Sequence, residues 1–235
     1  DRGYVVYRVR AVGRRGTSYS QRVEGDWTGS ASGSVDQAPH YFSIAPSTSI
    51  PPHEPDMNWS YQVGYTENGR QFEGISYMDG LGYNRQSQVR NNTEDEVIVH
   101  EQYYDHQGRV GVSVLPSPSG SSTLEYKADY NQNGTGDHYS RMDFDIDADP
   151  ISCHTPTGSM NNLSGSGQYY SSNNPNLEGQ QAYVPNAGGY PFARVEYMPD
   201  NTGRVRSLGK AGATHQIGSG HEILYEYGTP SQLQL

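Results

Sequence analysis

The chain has 235 residues, enough for one large β domain or two smaller ones. Hydrophobic residues make up only 32%, yet there are 20 tyrosines and 28 glycines; that aromatic content argues against disorder and for half-buried strands with wet hydroxyl edges. A formal net charge of -10 excludes a phosphate-binding basic surface and so nucleic acid, and the single cysteine, Cys153, excludes an internal disulfide framework.

In chain order, Tyr4 to Val12 alternates Tyr7, Val9 and Ala11 with Arg8 and Arg10, which predicts a half-buried antiparallel strand. A Gly-Arg-Arg-Gly turn and Val23-Glu24-Gly25-Asp26-Trp27 follow. Residues 31–57 are rich in Gly, Ser and Pro, with Pro46, Pro51, Pro52 and Pro55, and read as a linker stiffened in its second half.

From Asn58 a meander is expected to residue 115. Trp59 to Tyr65 and Phe72 to Tyr77 flank an Asn68-Gly69 hairpin turn. Asp79-Gly80-Leu81-Gly82 turns again, and Glu96 to Tyr104 is the strongest strand. Asp105-His106-Gln107-Gly108 turns into the return strand Arg109 to Leu115. Residues 116–181 lose the strand pattern and read as a loop-rich insert. No segment has a helical period. Residues 182–235 resume the meander from Ala182-Tyr183-Val184, with strands around Tyr197 and after Gly203-Arg204. The fold class expected is all-β, an antiparallel meander with long ordered loops. No apolar run is long enough for a membrane-spanning helix, so membrane insertion is not expected. The first residue, Asp1, stands directly before a strand, so the sequence is expected to be a piece of a longer chain.

Three sets of residues invite a chemical reading. Tyr77, Asp79, Tyr104, Asp105, Gly108, Arg109, Tyr197, Gly203 and Arg204 form a Tyr/Asp/Gly-Arg grammar. Structurally, tyrosines would stack across neighbouring strands while each arginine pairs with an acidic turn residue. Functionally, the same tyrosines would offer a glycan-binding surface. Asp129, Asn131, Asn133 and Asp137, with Gly134 at the sixth position, resemble the first part of a calcium loop. Ser140 stands where such a loop has its bidentate Glu, so calcium is a candidate ion and no cofactor is required. Ser219, His221 and Glu222 are adjacent in sequence, but lack the Gly-x-Ser-x-Gly elbow of a hydrolase. The eight histidines contain no closely spaced zinc pair; His100 and His106 flank one turn and could approach each other. No enzyme is expected.

Taken in order, His53 to Trp59, Ile75 to Gly80, Tyr104 to Arg109, Val114-Leu115-Pro116, Tyr169-Tyr170-Ser171, Asn174-Pro175-Asn176 and the run from Gly189 to Pro230 resemble a Bacteroidetes-type RHS/YD-repeat protein. Residues 1–30 resemble the end of a fibronectin type III domain. The resemblance implies a secreted or surface-exposed bacterial protein whose repeats wind into a hollow β-shell around a toxin-like C-terminal effector. It implies a non-enzymatic scaffold, whose partners are the remainder of its own longer chain and the encapsulated effector. A cell-surface adhesin or carbohydrate-binding module, with a surface glycan or protein as partner, is the alternative expectation.

Overall fold

The computed structural model describes residues 4–6, 12–15, 21–24, 41–43, 57–66, 69–91, 93–145 and 157–228. Two compact units are present, residues 1–55 and residues 56–235. In the first, β1 (Tyr4–Val6) pairs antiparallel with β4 (Tyr41–Ser43), and β2 (Val12–Arg15) pairs with β3 (Gln21–Glu24). The segment expected to be a linker, 31–57, therefore contains a strand. Its Tyr-Phe-Ser sequence has the β preference that the flanking Pro and Gly residues lack.

The second unit is built on one nine-stranded sheet, and the expected all-β meander is its architecture. Its strands are β5 (Asn58–Thr66), β6 (Gly69–Met78), β7 (Asn84–Asn91), β8 (Glu96–Tyr104), β9 (Val110–Val114), β10 (Ser117–Pro118), β11 (Phe192–Tyr197), β12 (Val205–Gly209) and β13 (Ile223–Leu224). The spatial order is β13-β12-β11-β9-β8-β7-β6-β5, with β10 also paired to β8. The two meanders read separately in the sequence are thus one sheet. β11 pairs directly with β9, Phe192 opposite Val114. Everything between them is one elaborated connection, which leaves and re-enters the sheet at the same place.

Strand alternation explains where the core lies. On β8, Val97, Val99, Glu101 and Tyr103 are buried while their neighbours are half-exposed. The connection between β9 and β11 folds over this face and completes two apolar clusters. One joins Ile75, Tyr77, Val97 and Val99 to Leu124 of the connection. The other joins Tyr103, Val112, Val114 and Phe192 to Tyr139, Phe144 and Met160. Burying a side chain of this size stabilises by about 1.5–3 kcal/mol, so the covering connection is half of the core rather than a decoration on it.

The resumption expected at Ala182 occurs later. Gly179–Tyr183 is a short 3-10 turn, and the strand begins at Phe192 after positive-φ turns at Gly188 and Gly189. Gly165–Tyr169, expected to be loop, is a single α-helical turn, α1. Its sequence has little helix preference. Tertiary bonds impose it: Ser166 N–H donates to Asn131 Oδ1 (2.9 Å), and Ser166 Oγ donates to Leu115 O (3.1 Å). Among the described residues no helix is long and apolar enough to cross a membrane.

Candidate functional site

The turns β6–β7, β8–β9 and β11–β12 all lie at the same end of the sheet, and one chemical device recurs in them. Each has an Asp, a Gly three residues later in the left-handed region, and a flat side chain one residue after that. The glycines are Gly82 (φ 83°), Gly108 (φ 77°) and Gly203 (φ 72°). The Asp carboxylate caps the turn. Asp79 Oδ1 accepts from Leu81 N and Tyr83 N, and Asp105 Oδ1 accepts from Gln107 N and Arg109 N. Asp200 Oδ1 accepts from the backbone and hydroxyl of Thr202. These are Asx-turn bonds, local in origin, which is why three short sequences fold alike.

The residue after the Gly holds the turn to the next hairpin. Arg109 Nε donates to Asp105 Oδ2 (2.7 Å), and its guanidinium Cζ sits 4.2 Å from the ring centre of Tyr197. Arg204 Nη2 donates to Asp200 Oδ2 (2.7 Å), and its Cζ lies 4.8 Å from the ring of Tyr227. In the first turn Tyr83 takes the arginine's place, its ring 4.8 Å from that of Tyr104. Each receiving tyrosine then returns a hydrogen bond to the carbonyl just after the stacked residue. Tyr104 OH donates to Asn84 O (3.0 Å), Tyr197 OH to Val110 O (3.1 Å) and Tyr227 OH to Val205 O (2.9 Å). Adjacent turns also touch, Gln107 Nε2 donating to Asn201 Oδ1 (2.7 Å). The strand entering each turn carries a register shift at Tyr77/Met78, Tyr103/Tyr104 or Glu196/Tyr197, a bulge that re-aims the tyrosine toward the preceding hairpin.

The residues singled out in the sequence therefore divide. Asp79, Tyr104, Asp105, Gly108, Arg109, Tyr197, Gly203 and Arg204 belong to this ladder. Tyr77 does not. It is fully buried on the opposite face, edge-on to Tyr126 at 5.3 Å, and Met78 occupies the bulge position that Tyr104 and Tyr197 hold elsewhere. Tyr83 and Tyr227 are ladder members that the sequence reading passed over. Their shared signal is spacing: Tyr83 stands four residues after Asp79 as Arg109 does after Asp105.

Electrostatics separates the turns from the core. Hydrogen bonds from Thr202 and Arg204 hold the fully exposed Asp200 carboxyl down to about 2. Burial pushes the Glu101 carboxyl up from its ordinary range. Glu101 is 3% exposed and accepts from Gln86 Nε2 (2.6 Å), Tyr103 OH (2.6 Å) and Asn131 Nδ2 (2.8 Å). It stands on β8 between the two apolar clusters. Beside it, Gln86 and Gln88 act as a surrogate strand edge. Gln86 accepts from Lys127 N and donates to Lys127 O, while Gln88 does the same with Glu125. Two side-chain amides thus fix the register of the covering connection on the sheet.

The calcium-like loop is tied up by the same connection. Asn131 is 1% exposed and spends Oδ1 on Ser166 N and Nδ2 on Glu101. Asn133 Oδ1 accepts from Thr135 N, Thr135 Oγ1 and Asp137 N. The Asp129 side chain is largely exposed and lies 3.7 Å from His138 Nδ1. With Asn131 turned into the core and Asp129 turned outward, these oxygens do not converge on one ion. Among the described residues no three His, Cys, Asp or Glu side chains group as a metal site. Asp147 and Asp149 lie outside the described residues, as does Cys153.

The remaining candidates separate as well. His100 Nε2 is 3.2 Å from Ser113 Oγ, whereas His106 Nδ1 is 3.0 Å from Asp145 Oδ2. Ser219 Oγ donates to Thr214 O, and His221 reaches that serine through its backbone N–H, not its ring. Glu222 accepts from Gly220 N.

Residues 53–154 match the family model described as a domain of unknown function, DUF6443. The matched segment takes in β5 to β10 and the first part of the covering connection, so two of the ladder's turns lie inside it and the third lies beyond. No curated protein and no solved structure matches the chain.

Proposed function

We propose that this chain is a non-enzymatic segment of the wall of a large secreted RHS/YD-repeat-type bacterial shell, one that encloses or presents a toxin-like C-terminal effector. The observation that carries the reading is the repetition of the ladder. The same Asp, Gly, stacked side chain and returning tyrosine hydroxyl join each hairpin to the next, across the β9–β11 connection as readily as elsewhere. A unit that fastens only to its neighbour extends a sheet by addition, as in repeat proteins whose stability is a sum of nearest-neighbour terms. Its partners are the remainder of its own longer chain, which pairs with the strands at the sheet's two ends, and the enclosed effector. Secretion or surface display belongs to the same proposal.

Electron microscopy of the natural full-length protein tests it, combined with limited proteolysis. The expected particle is hollow, with this segment in its wall and a C-terminal fragment protected until the wall is opened. A solid or fully extended particle, with the C-terminal region cut at the rate of an unprotected chain, would overturn it.

A further inference from the structure

A cleft of about 160 Å³ opens beside the start of β8, at the end of the sheet remote from the Asp turns. Its walls come from the loop after β10, from α1 and from the following Asn-Pro-Asn loop. The polar lining includes Glu96, Gln168, Asn174 and Asn176, and Tyr169 supplies an aromatic surface.

Two features mark the cleft as built rather than incidental. The first is Asn174, which is 5% exposed. Its Oδ1 accepts from Asn176 N (2.9 Å), which fixes the orientation of the amide. Its Nδ2 is then a buried donor with no acceptor among the described residues. A donor left this way costs about 1–3 kcal/mol unless a ligand or solvent oxygen meets it. The second is the setting of Tyr169. Its ring is edge-on to Tyr170 at 4.9 Å and 85°, and Tyr170 is anchored by its hydroxyl to Pro116 O (2.7 Å). The aromatic wall is therefore held before anything binds, which lowers the ordering cost of binding.

The lining chooses the ligand class. It contains no Lys, Arg or His, and its one carboxylate, Glu96, has Glu94 close by in sequence. An anion would meet repulsion with no compensating cation. The field of these two glutamates also contributes to raising the Tyr169 hydroxyl, after burial. Carboxamides and a carboxylate together donate to and accept from neighbouring hydroxyls, and a tyrosine ring packs against a face of C–H groups. We propose that this cleft binds one neutral pyranose unit of a carbohydrate, stacked on Tyr169 and bonded through Asn174, Gln168 and Glu96. The site stands apart from the scaffold reading, since a wall segment and a free-standing module could carry it equally.

Saturation-transfer NMR of the chain tests this with neutral methyl pyranosides and their short oligosaccharides, alongside sialic acid and tetralysine. The expected result is binding of at least one neutral sugar with Kd of about 1 mM, on the scale where that corresponds to about 4 kcal/mol. Tyr169→Phe should retain it, and Tyr169→Ala and Gln168→Ala should each weaken it about tenfold with an unchanged Tm. Should Tyr169→Ala fail to fold, Gln168→Ala and amide shifts confined to residues 120, 168–169 and 174–176 carry the decision. Absence of binding by every neutral sugar at 50-fold that concentration (roughly), binding indifferent to both alanine variants, or binding of tetralysine alone would overturn the assignment.

Discussion

The guanidinium of Arg109 lies 4.2 Å from the ring centre of Tyr197, although the whole β9–β11 connection separates the two residues in the chain. Arg109 is also held by Asp105, whose side chain is 8% exposed, so the cation is shared between a carboxylate below and an aromatic face beside it. The pair is the rivet between the hairpin before the connection and the hairpin after it.

Arg109→Ala should destabilise the chain by about 1–3 kcal/mol, because it removes a partly buried charge-assisted bond and a cation–π contact together. Arg109→Lys should recover less than half of this, since an ammonium cannot form the planar fork or lie flat on the ring. A urea denaturation cycle with Tyr197→Leu should give a coupling energy of about 0.5–1 kcal/mol. Additive effects would mean that the stacking is incidental.

The glycines of the turns should not be equivalent. Gly108 and Gly203 both have positive φ, but a Cβ at Gly108 would collide with the Tyr83 hydroxyl, whereas the space at Gly203 is open. Gly203→Ala should cost about 1 kcal/mol, the backbone penalty alone. Gly108→Ala should cost distinctly more, and it should also disturb the Tyr83–Tyr104 stacking, visible as a change in near-ultraviolet circular dichroism. Equal losses in the two variants would exclude the steric term.

Two carboxylates should drive stability in opposite directions with pH. Burial raises Glu101, so its contribution is fully present below the ordinary carboxylate value of 4.5 and is lost as pH rises through its higher folded value. Asp200 is lowered to about 2, so its contribution is present above the ordinary 3.8 and is lost as pH falls through about 2. Tm profiles from pH 2 to 8 (roughly) check both. Glu101→Gln should flatten the limb above 4.5, and Asp200→Asn should flatten the acid limb. A Glu101→Gln profile parallel to that of the unmodified chain would show that the buried carboxyl does not titrate there.

Gln88→Ala should loosen the covering connection before it melts the sheet. It leaves Glu125 N–H and C=O without their side-chain partner, at about 1–3 kcal/mol. Hydrogen exchange should quicken at residues 124–131 and remain slow on β8. Uniform acceleration throughout would mean that the connection and the sheet unfold as one.

Calcium should leave Tm unchanged. Asn131 is committed to Glu101 and Ser166, and freeing it would cost two buried hydrogen bonds. A chelator-reversible rise in Tm at millimolar calcium would show that the loop rearranges around the ion.

The sheet was legible because its signals are local. Asp79, Asp105 and Asp200 announce their turns through bonds to residues two and four positions on, and alternation along Glu96 to Tyr104 marks the strand between two of them. What escaped is non-local. Nothing near Gln86 and Gln88 in sequence indicates that they will mimic a strand edge for residues 125–127. Alternation put Val99, Glu101 and Tyr103 on one face, but only the covering connection makes that face a core and Glu101 a buried acid. The helical turn at Gly165–Tyr169 has no propensity to betray it, being set by Asn131 and Leu115 from elsewhere in the fold. Tyr77 was grouped with Tyr104 by its neighbouring Asp, yet the bulge one residue later sends the two tyrosines to opposite faces.

The Asp turns gather at one end of the sheet, and the long connection departs from the other. The two ends consequently carry different freedoms. A change of length on the turn side would break a stacked pair and its returning hydroxyl bond. On the far side, dozens of residues enter between β9 and β11 while Val114 still meets Phe192 and Arg109 still meets Tyr197. The architecture therefore separates a margin that must keep its sequence from a margin that can acquire new sequence. Variation in surface and binding character can accumulate along the second margin with no effect on how the strands are counted.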